Sequence, residues 1–344
     1  MACIVSFAGK KSPAQNLINR LASLQHKGIM IGQQDALFYG TTWKWEYGRS
    51  DMKDVCGDYP AVLGCELSGI ENGKERNIDG VPFNKMREQI IDFAQKGGIV
   101  TLSWHADNPV NGENAWNVDV PAVADCLPGG AQHRKMQLWI SRVIDFINSL
   151  RDANGKPIPV IFRPLHEMSG NWFWWGAKHC TADEFKSLYQ MIVKQFRKAK
   201  VEHVVWSYSP GADAADTPEH FFSFYPGDKY VDLLGVDIYQ NDTGREFIST
   251  CQKELKIMQD YASAHHKLYA ITEAGYRNTP DPNWFTHVLR PALAGFNPCY
   301  VLLWRNAWDM KEENFGPAPE KSCAEDFRKF YSDKNTLFLK DINK

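Results

Sequence analysis

Short, near-continuously apolar runs recur along the chain, and amphipathic stretches fill most of the gaps between them. The runs cover residues 28–33, 61–66, 98–104, 159–163, 203–208, 231–237, 268–272 and 299–304. Each has the length of a strand, and none alternates cleanly between apolar and polar. That pattern belongs to strands covered on both faces, as in a parallel sheet wrapped by helices. The amphipathic stretches predict helices over 13–26, 82–96, 132–150, 181–198 and 245–266. Ser12 before Pro13 reads as an N-cap with proline at the first helical position. Thr181 followed by Glu184 reads as a capping box, and Gly97-Gly98 as a helix stop. Within 132–150, Met136, Trp139, Ile140, Val143, Ile144 and Ile147 fall at helical spacing. Eight strands alternating with helices predict an α/β fold, the (β/α)8 TIM barrel. No linker, repeat or low-complexity segment interrupts it, so one domain over 1–344 is expected. An open doubly wound sheet would alternate in the same way, but no glycine-rich phosphate loop follows the first run.

Composition narrows the classes of partner. With 44% apolar and 23% charged residues and a formal net charge of −2, the chain has neither the basic excess nor the basic stripe of a nucleic-acid binder. No apolar run approaches the roughly 18 residues of a membrane-spanning helix. The first residues lack the charged and long apolar regions of a signal peptide. None of the eight cysteines form a CxxC pair, so a structural zinc site is not expected. Cys65 and Cys299 lie inside apolar runs and are predicted to be buried thiols, and Cys3 is read as an ordinary residue rather than a lipid-bearing one. His179, His203, His220, His265 and His266 are expected to be solvated.

The polar residues concentrate where a barrel keeps its chemistry, at the C-terminal ends of the strands. These ends supply Gln33, Gln34 and Asp35, Glu66, Trp104-His105, Arg163 with His166-Glu167, Asp237 with Tyr239, Glu273, and Trp304-Arg305. Most of the twelve tryptophans also lie at or just past these ends. Aromatic plates with interleaved Arg, His and Asp suit a pyranose, which has an apolar face and a rim of hydroxyls. Glu167 and Glu273 each close a buried strand, where a charge must be paired or used. Structural ion pairs with rim arginines would satisfy that rule. A carboxylate pair across the barrel mouth would also satisfy it, and such a pair cleaves glycosides with retention when about 5 Å apart. Tyr239, paired with Asp237 at its strand end, fits a donor to the spare oxygen of a nucleophile, with structural packing of its ring as the alternative. Asp213 and Asp216 fit a substrate contact or an Asx-turn equally well. His105, Asp107, His166 and Glu167 could ligate a metal, but no HxH ends the first strand and no lysine closes the fourth. Neither a metal nor a cofactor is expected.

The run Arg163-Pro-Leu-His-Glu-Met168, with Trp172 five positions past the glutamate, resembles glycoside hydrolase family 26, the β-mannanases. So do Ser103-Trp-His105 with Asn108-Pro109, Val236-Asp-Ile-Tyr239, Thr272-Glu-Ala-Gly275 and Trp304-Arg305. The resemblance implies a retaining endo-β-1,4-mannanase acting on mannan, galactomannan or glucomannan, with Glu167 as acid/base and Glu273 as nucleophile. It implies sugar contacts from His105, Arg163, His166, Trp172 and Tyr239, with Trp304 and Arg305 further out on the glycone side. Asp237 and Trp116, the latter in the 108–130 segment, complete the expected substrate-binding set. An exported monomer is expected. The alternatives are an end-acting mannobiohydrolase, a hydrolase of another β-glycan, a metal-dependent barrel hydrolase and a non-catalytic sugar-binding barrel.

Overall fold

The structure, a computed structural model, describes residues 12–212 and 217–344. Cys3, Asp213 and Asp216 lie outside them. Eight parallel strands close into a barrel: β1 (Ile29–Gln34), β2 (Val62–Glu66), β3 (Ile99–Trp104), β4 (Val160–Pro164), β5 (Val204–Tyr208), β6 (Leu233–Gln240), β7 (Leu268–Tyr276) and β8 (Tyr300–Leu303). Gly32 of β1 pairs with Val62 of β2 on one side and Leu302 of β8 on the other, which closes the ring. A Cβ at Gly32 would sit 2.8 Å from both neighbours, so glycine permits the close approach. A short strand, β9 (Thr336–Leu337), adds to β1 at Ile29 and Met30, before the pairing with β2 begins.

The helices lie where the pattern put them. Pro13–Gln25 is capped by the Ser12 hydroxyl, which accepts from the Gln15 N–H at 3.2 Å, and it buries Leu17, Leu21 and Leu24. Each such leucine contributes roughly 2 kcal/mol by leaving water. Ala182–Lys198 carries the expected reciprocal Thr181–Glu184 box. The remaining predicted helices are Phe83–Gln95, His133–Ser149 and Gly244–His265, each within a residue or two of expectation.

Two differences bear on the site. β6 and β7 run three and four residues past their predicted ends. Their register shifts between Val236 and Asp237: Val236 faces Ile271, whereas Asp237 faces Glu273, which leaves Thr272 as an extra residue on β7. A bulge re-aims side chains at a barrel rim. Here it turns the Thr272 hydroxyl onto Asp237 Oδ1 at 2.7 Å. His203, expected to be solvated, is buried beside the Ile147 carbonyl. Cys65 and Cys299 are buried as expected, and all seven cysteines among the described residues are free thiols.

Candidate active site

Glu167 follows β4 on a strained turn. Leu165 and Glu167 both take left-handed backbone angles, φ 52° and 54°, which a non-glycine residue adopts at a penalty of order 1 kcal/mol or more. The Glu167 N–H is tied to the Ser209 carbonyl at 2.7 Å. On the same turn the Trp172 indole lies against Gly170, where any Cβ would collide with the ring. That placement lets Trp172 Nε1 donate to Glu167 Oε2 at 2.6 Å.

Glu273 is held from the opposite wall. Arg163 bonds Glu273 Oε1 through Nη2 and Asp237 Oδ2 through Nη1, the latter at 2.6 Å. Tyr239 donates its hydroxyl to Glu273 Oε2 at 2.6 Å. Burial and the adjacent Glu273 carboxylate raise the Tyr239 phenol well above its usual range, so it stays a donor. One oxygen from each of Glu167, Asp237 and Glu273 lies within 4.8 Å of the others. Burial, then the charges of Glu273 and Asp237, push the Glu167 carboxyl well above the ordinary range, against the Trp172 hydrogen bond. Glu273 instead receives two donors. One carboxyl group is thus held as an acid beside another whose charge is compensated, the division of labour that glycoside cleavage uses. A cation bound among the three would have to displace Arg163, which already spans Asp237 and Glu273.

A third buried carboxylate organises the adjoining wall. Glu66 accepts from the Ser103 hydroxyl at 2.6 Å, the Ser68 and His105 N–H groups at 2.6 and 2.8 Å, and His105 Nδ1 at 2.7 Å. Burial alone would raise it, but His105 and these donors bring it down to about 2. Burial also opposes charge on His105, yet Glu66 outweighs it and raises the imidazole. His166 is pushed well below its usual value by burial, Arg163 and His105. These opposite shifts favour His105 as the donor in the 3.0 Å contact between the two Nε2 atoms.

Glu167, Trp172, Tyr239, Glu273 and Trp304 line a recess of about 400 Å3. It continues into a second of about 430 Å3 that holds Glu66, Asp79 and Arg305, with His105, Trp116 and Trp304 common to both. Trp116 stacks on His105 with ring centres 5.1 Å apart. A larger groove of about 700 Å3 lies outside the barrel, between His133–Ser149 and Ala182–Lys198. Gln137, Asp145, Lys194 and Lys198 line it, without paired acids or stacked aromatics.

His105, Trp116, Trp172, Tyr239, Trp304 and Arg305, expected to touch a sugar, do line this cleft. Arg163, His166 and Asp237 do not. Their side chains are about 1% exposed or less, behind Glu273 and His105, and both Asp237 oxygens are taken by Arg163, Thr272 and Ser209. They lie beneath the cleft surface and support Glu273 and His105 from there. Asp107 turns away to Asn72 and Lys74 rather than toward the two histidines. Glu66 is assigned no role from the sequence, although there it ends an apolar run as Glu167 and Glu273 do.

The model for glycosyl hydrolase family 26 matches residues 8–288. A mannan endo-1,4-beta-mannosidase of Bifidobacterium adolescentis is 32% identical over 323 residues, covering 88% of this chain and 32% of its own length. One from Bacillus subtilis is 26% identical over 277 residues, covering 75% and 69%. The chain therefore spans about a third of the first relative and about two thirds of the second. A solved GH26 beta-mannanase from Bacteroides ovatus superposes with a TM-score of 0.94 at 39% identity, covering 97% of this chain and 98% of that one. The match of family model, sequence and overall fold leaves one conclusion: this chain belongs to glycosyl hydrolase family 26.

Proposed function

We propose that the chain is an endo-acting, configuration-retaining β-1,4-mannanase in which Glu273 is the nucleophile and Glu167 the acid/base. One observation carries the reading: two carboxyl groups within 4.8 Å in an aromatic-walled cleft, one pushed toward its acid form and the other gripped by Arg163 and Tyr239. Glu273 attacks the anomeric carbon of a mannosyl unit while the Glu167 proton passes to the departing glycosidic oxygen. The carbon–oxygen bond to the leaving chain breaks as the bond to Glu273 forms. In that ester Glu273 no longer carries a charge, so the like-charge repulsion that raises Glu167 disappears. Its acidity increases, and the resulting carboxylate accepts a proton from the incoming water. Water attack then releases Glu273 with a second inversion, which restores the original configuration.

The relatives named as mannan endo-1,4-beta-mannosidases support the choice of sugar and of mid-chain cleavage. Trp116, Trp172 and Trp304 offer faces to successive pyranose rings, and His105, Tyr239 and Arg305 offer donors to their hydroxyls. A polymeric mannan does not cross a membrane, so we place the enzyme outside the cytoplasm. Among the described residues no helix is long and apolar enough to span a bilayer. The product profile tests the assignment. Incubation with β-1,4-mannan should release oligosaccharides of mixed length from the earliest time points. Mannobiose alone from the start would replace endo action by end action, and cleavage of β-1,4-glucan in preference to mannan would overturn the substrate.

A further inference from the structure

Arg305 enters the second recess of the cleft with its guanidinium already engaged. Its Nη1 lies 3.0 Å from Asp79 Oδ1, and both side chains are nearly enclosed, at 9% and 12% exposure. Behind Asp79 sits Asp35, fully buried just past the end of β1 in a left-handed backbone conformation, φ 54°. Asp35 Oδ2 accepts from the Tyr39 hydroxyl at 2.7 Å. Its other oxygen, Oδ1, is buried and receives no hydrogen bond from any donor of the protein. Asp79 is the charge that acts on Asp35 most strongly. Two adjacent buried carboxyl groups do not both ionise readily, so one of them holds a proton.

The position of that proton follows from the neighbours. Asp79 has a guanidinium in contact, whereas the partners of Asp35 are a neutral phenol and a second acid. Burial and the charge of Asp79 both raise Asp35, and Arg305 acts on it more weakly. Arg305 itself is held above its usual value, against burial, chiefly by Asp79.

We propose that Asp79 is a positioning residue for substrate binding: with Asp35 kept neutral behind it, Asp79 as the single charge fixes Arg305 to grip a glycone sugar beyond the one cleaved. The proposal rests on the mannanase reading. Glu167 must stand on the leaving-group side of the scissile bond, and it lines only the first recess, so the Arg305 recess belongs to the glycone end. Arginine carries five donors in a fixed fork. Anchoring one arm on Asp79 aims the rest at sugar hydroxyls, with no ordering left to be done when substrate arrives.

The test compares 4-nitrophenyl β-glycosides of mannose, β-1,4-mannobiose and β-1,4-mannotriose. Arg305→Ala identifies the chain length at which the Arg305 recess is filled. From that length on, Asp79→Asn is expected to lower kcat/KM about tenfold, the loss of one charge-assisted contact, mainly by raising KM. The loss should grow with chain length rather than apply evenly. Adding Asp79→Asn to Arg305→Ala should lower the rate no further. Asp35→Asn keeps a neutral group behind Asp79 and an acceptor toward Tyr39, so it should recover most of what Asp35→Ala loses. An even loss at all lengths, an additive double variant, or equal loss in the two Asp35 variants would overturn the proposal. If Asp79→Asn does not fold, the contrast between the two Asp35 variants decides alone. A wild-type enzyme inactive on mannan and on every glycoside would defeat the mannanase reading and this proposal with it. Failure confined to the variants would defeat only this proposal.

Discussion

Glu273→Ala is expected to lower turnover of mannan by on the order of 10^5-fold, the scale on which removal of a covalent nucleophile acts. The loss should be as severe on substrates with activated leaving groups, because no other carboxylate can reach the anomeric carbon from that wall. Asp237 is the nearest acid, but its oxygens are held by Arg163, Thr272 and Ser209 and its side chain is sealed from the cleft. The substitution also removes one of the two acids that Arg163 bonds while buried, so stability should fall as well. Glu273→Gln keeps the volume and separates the two effects. It should remain folded by thermal melting yet show the same loss when reducing ends are counted. An alanine or glutamine variant retaining a tenth of wild-type turnover would rule out Glu273 as nucleophile.

Glu167→Ala should behave differently, and the difference identifies its role. On mannan, whose leaving group needs a proton, the loss should be about 10^3-fold, within the range of general acid–base catalysis. With a dinitrophenyl leaving group the first step should proceed almost unimpaired, and the glycosyl–enzyme should accumulate for want of a base. Added azide needs no base, so it should restore turnover and yield a β-mannosyl azide. The pH dependence follows from the same group. The raised Glu167 stays protonated to higher pH than an ordinary glutamate, and wild-type activity should fall as pH rises through its titration. The azide-rescued variant should lack that alkaline limb. Equal losses on both leaving groups, without rescue, would remove Glu167 from the acid/base role.

Much of this was legible in the sequence because a wrapped parallel strand announces itself by unbroken apolar residues. All eight barrel strands were found that way. The pattern fails where function interrupts it. Asp237, Tyr239 and Gln240 on β6, and Glu273 and Tyr276 on β7, break the apolar run, so both strands were expected to stop short. Backbone pairing carries them on regardless. The bulge at Thr272 then sets which rim residues face the cleft and which lie below it, and no linear pattern encodes that offset. Hence Tyr239 lies in the cleft wall, whereas Asp237, two residues earlier, lies beneath it. β9 and the helix Ala324–Tyr331 gave too short a signal, since β9 contributes only two residues to the sheet. Glu66 could have been found, because it obeys the rule that drew attention to Glu167 and Glu273. Asp79 could not, for it lies in a loop and gains its meaning only from Arg305, far along the chain.

A double displacement between Glu273 and Glu167 has a stereochemistry that is directly measurable. Proton NMR of the anomeric signals during rapid hydrolysis of manno-oligosaccharides should show the β-anomer of the new reducing end first. The α-anomer should follow only as mutarotation proceeds. First appearance of the α-anomer would mean a single displacement by water and would contradict the assignment of Glu273 as nucleophile.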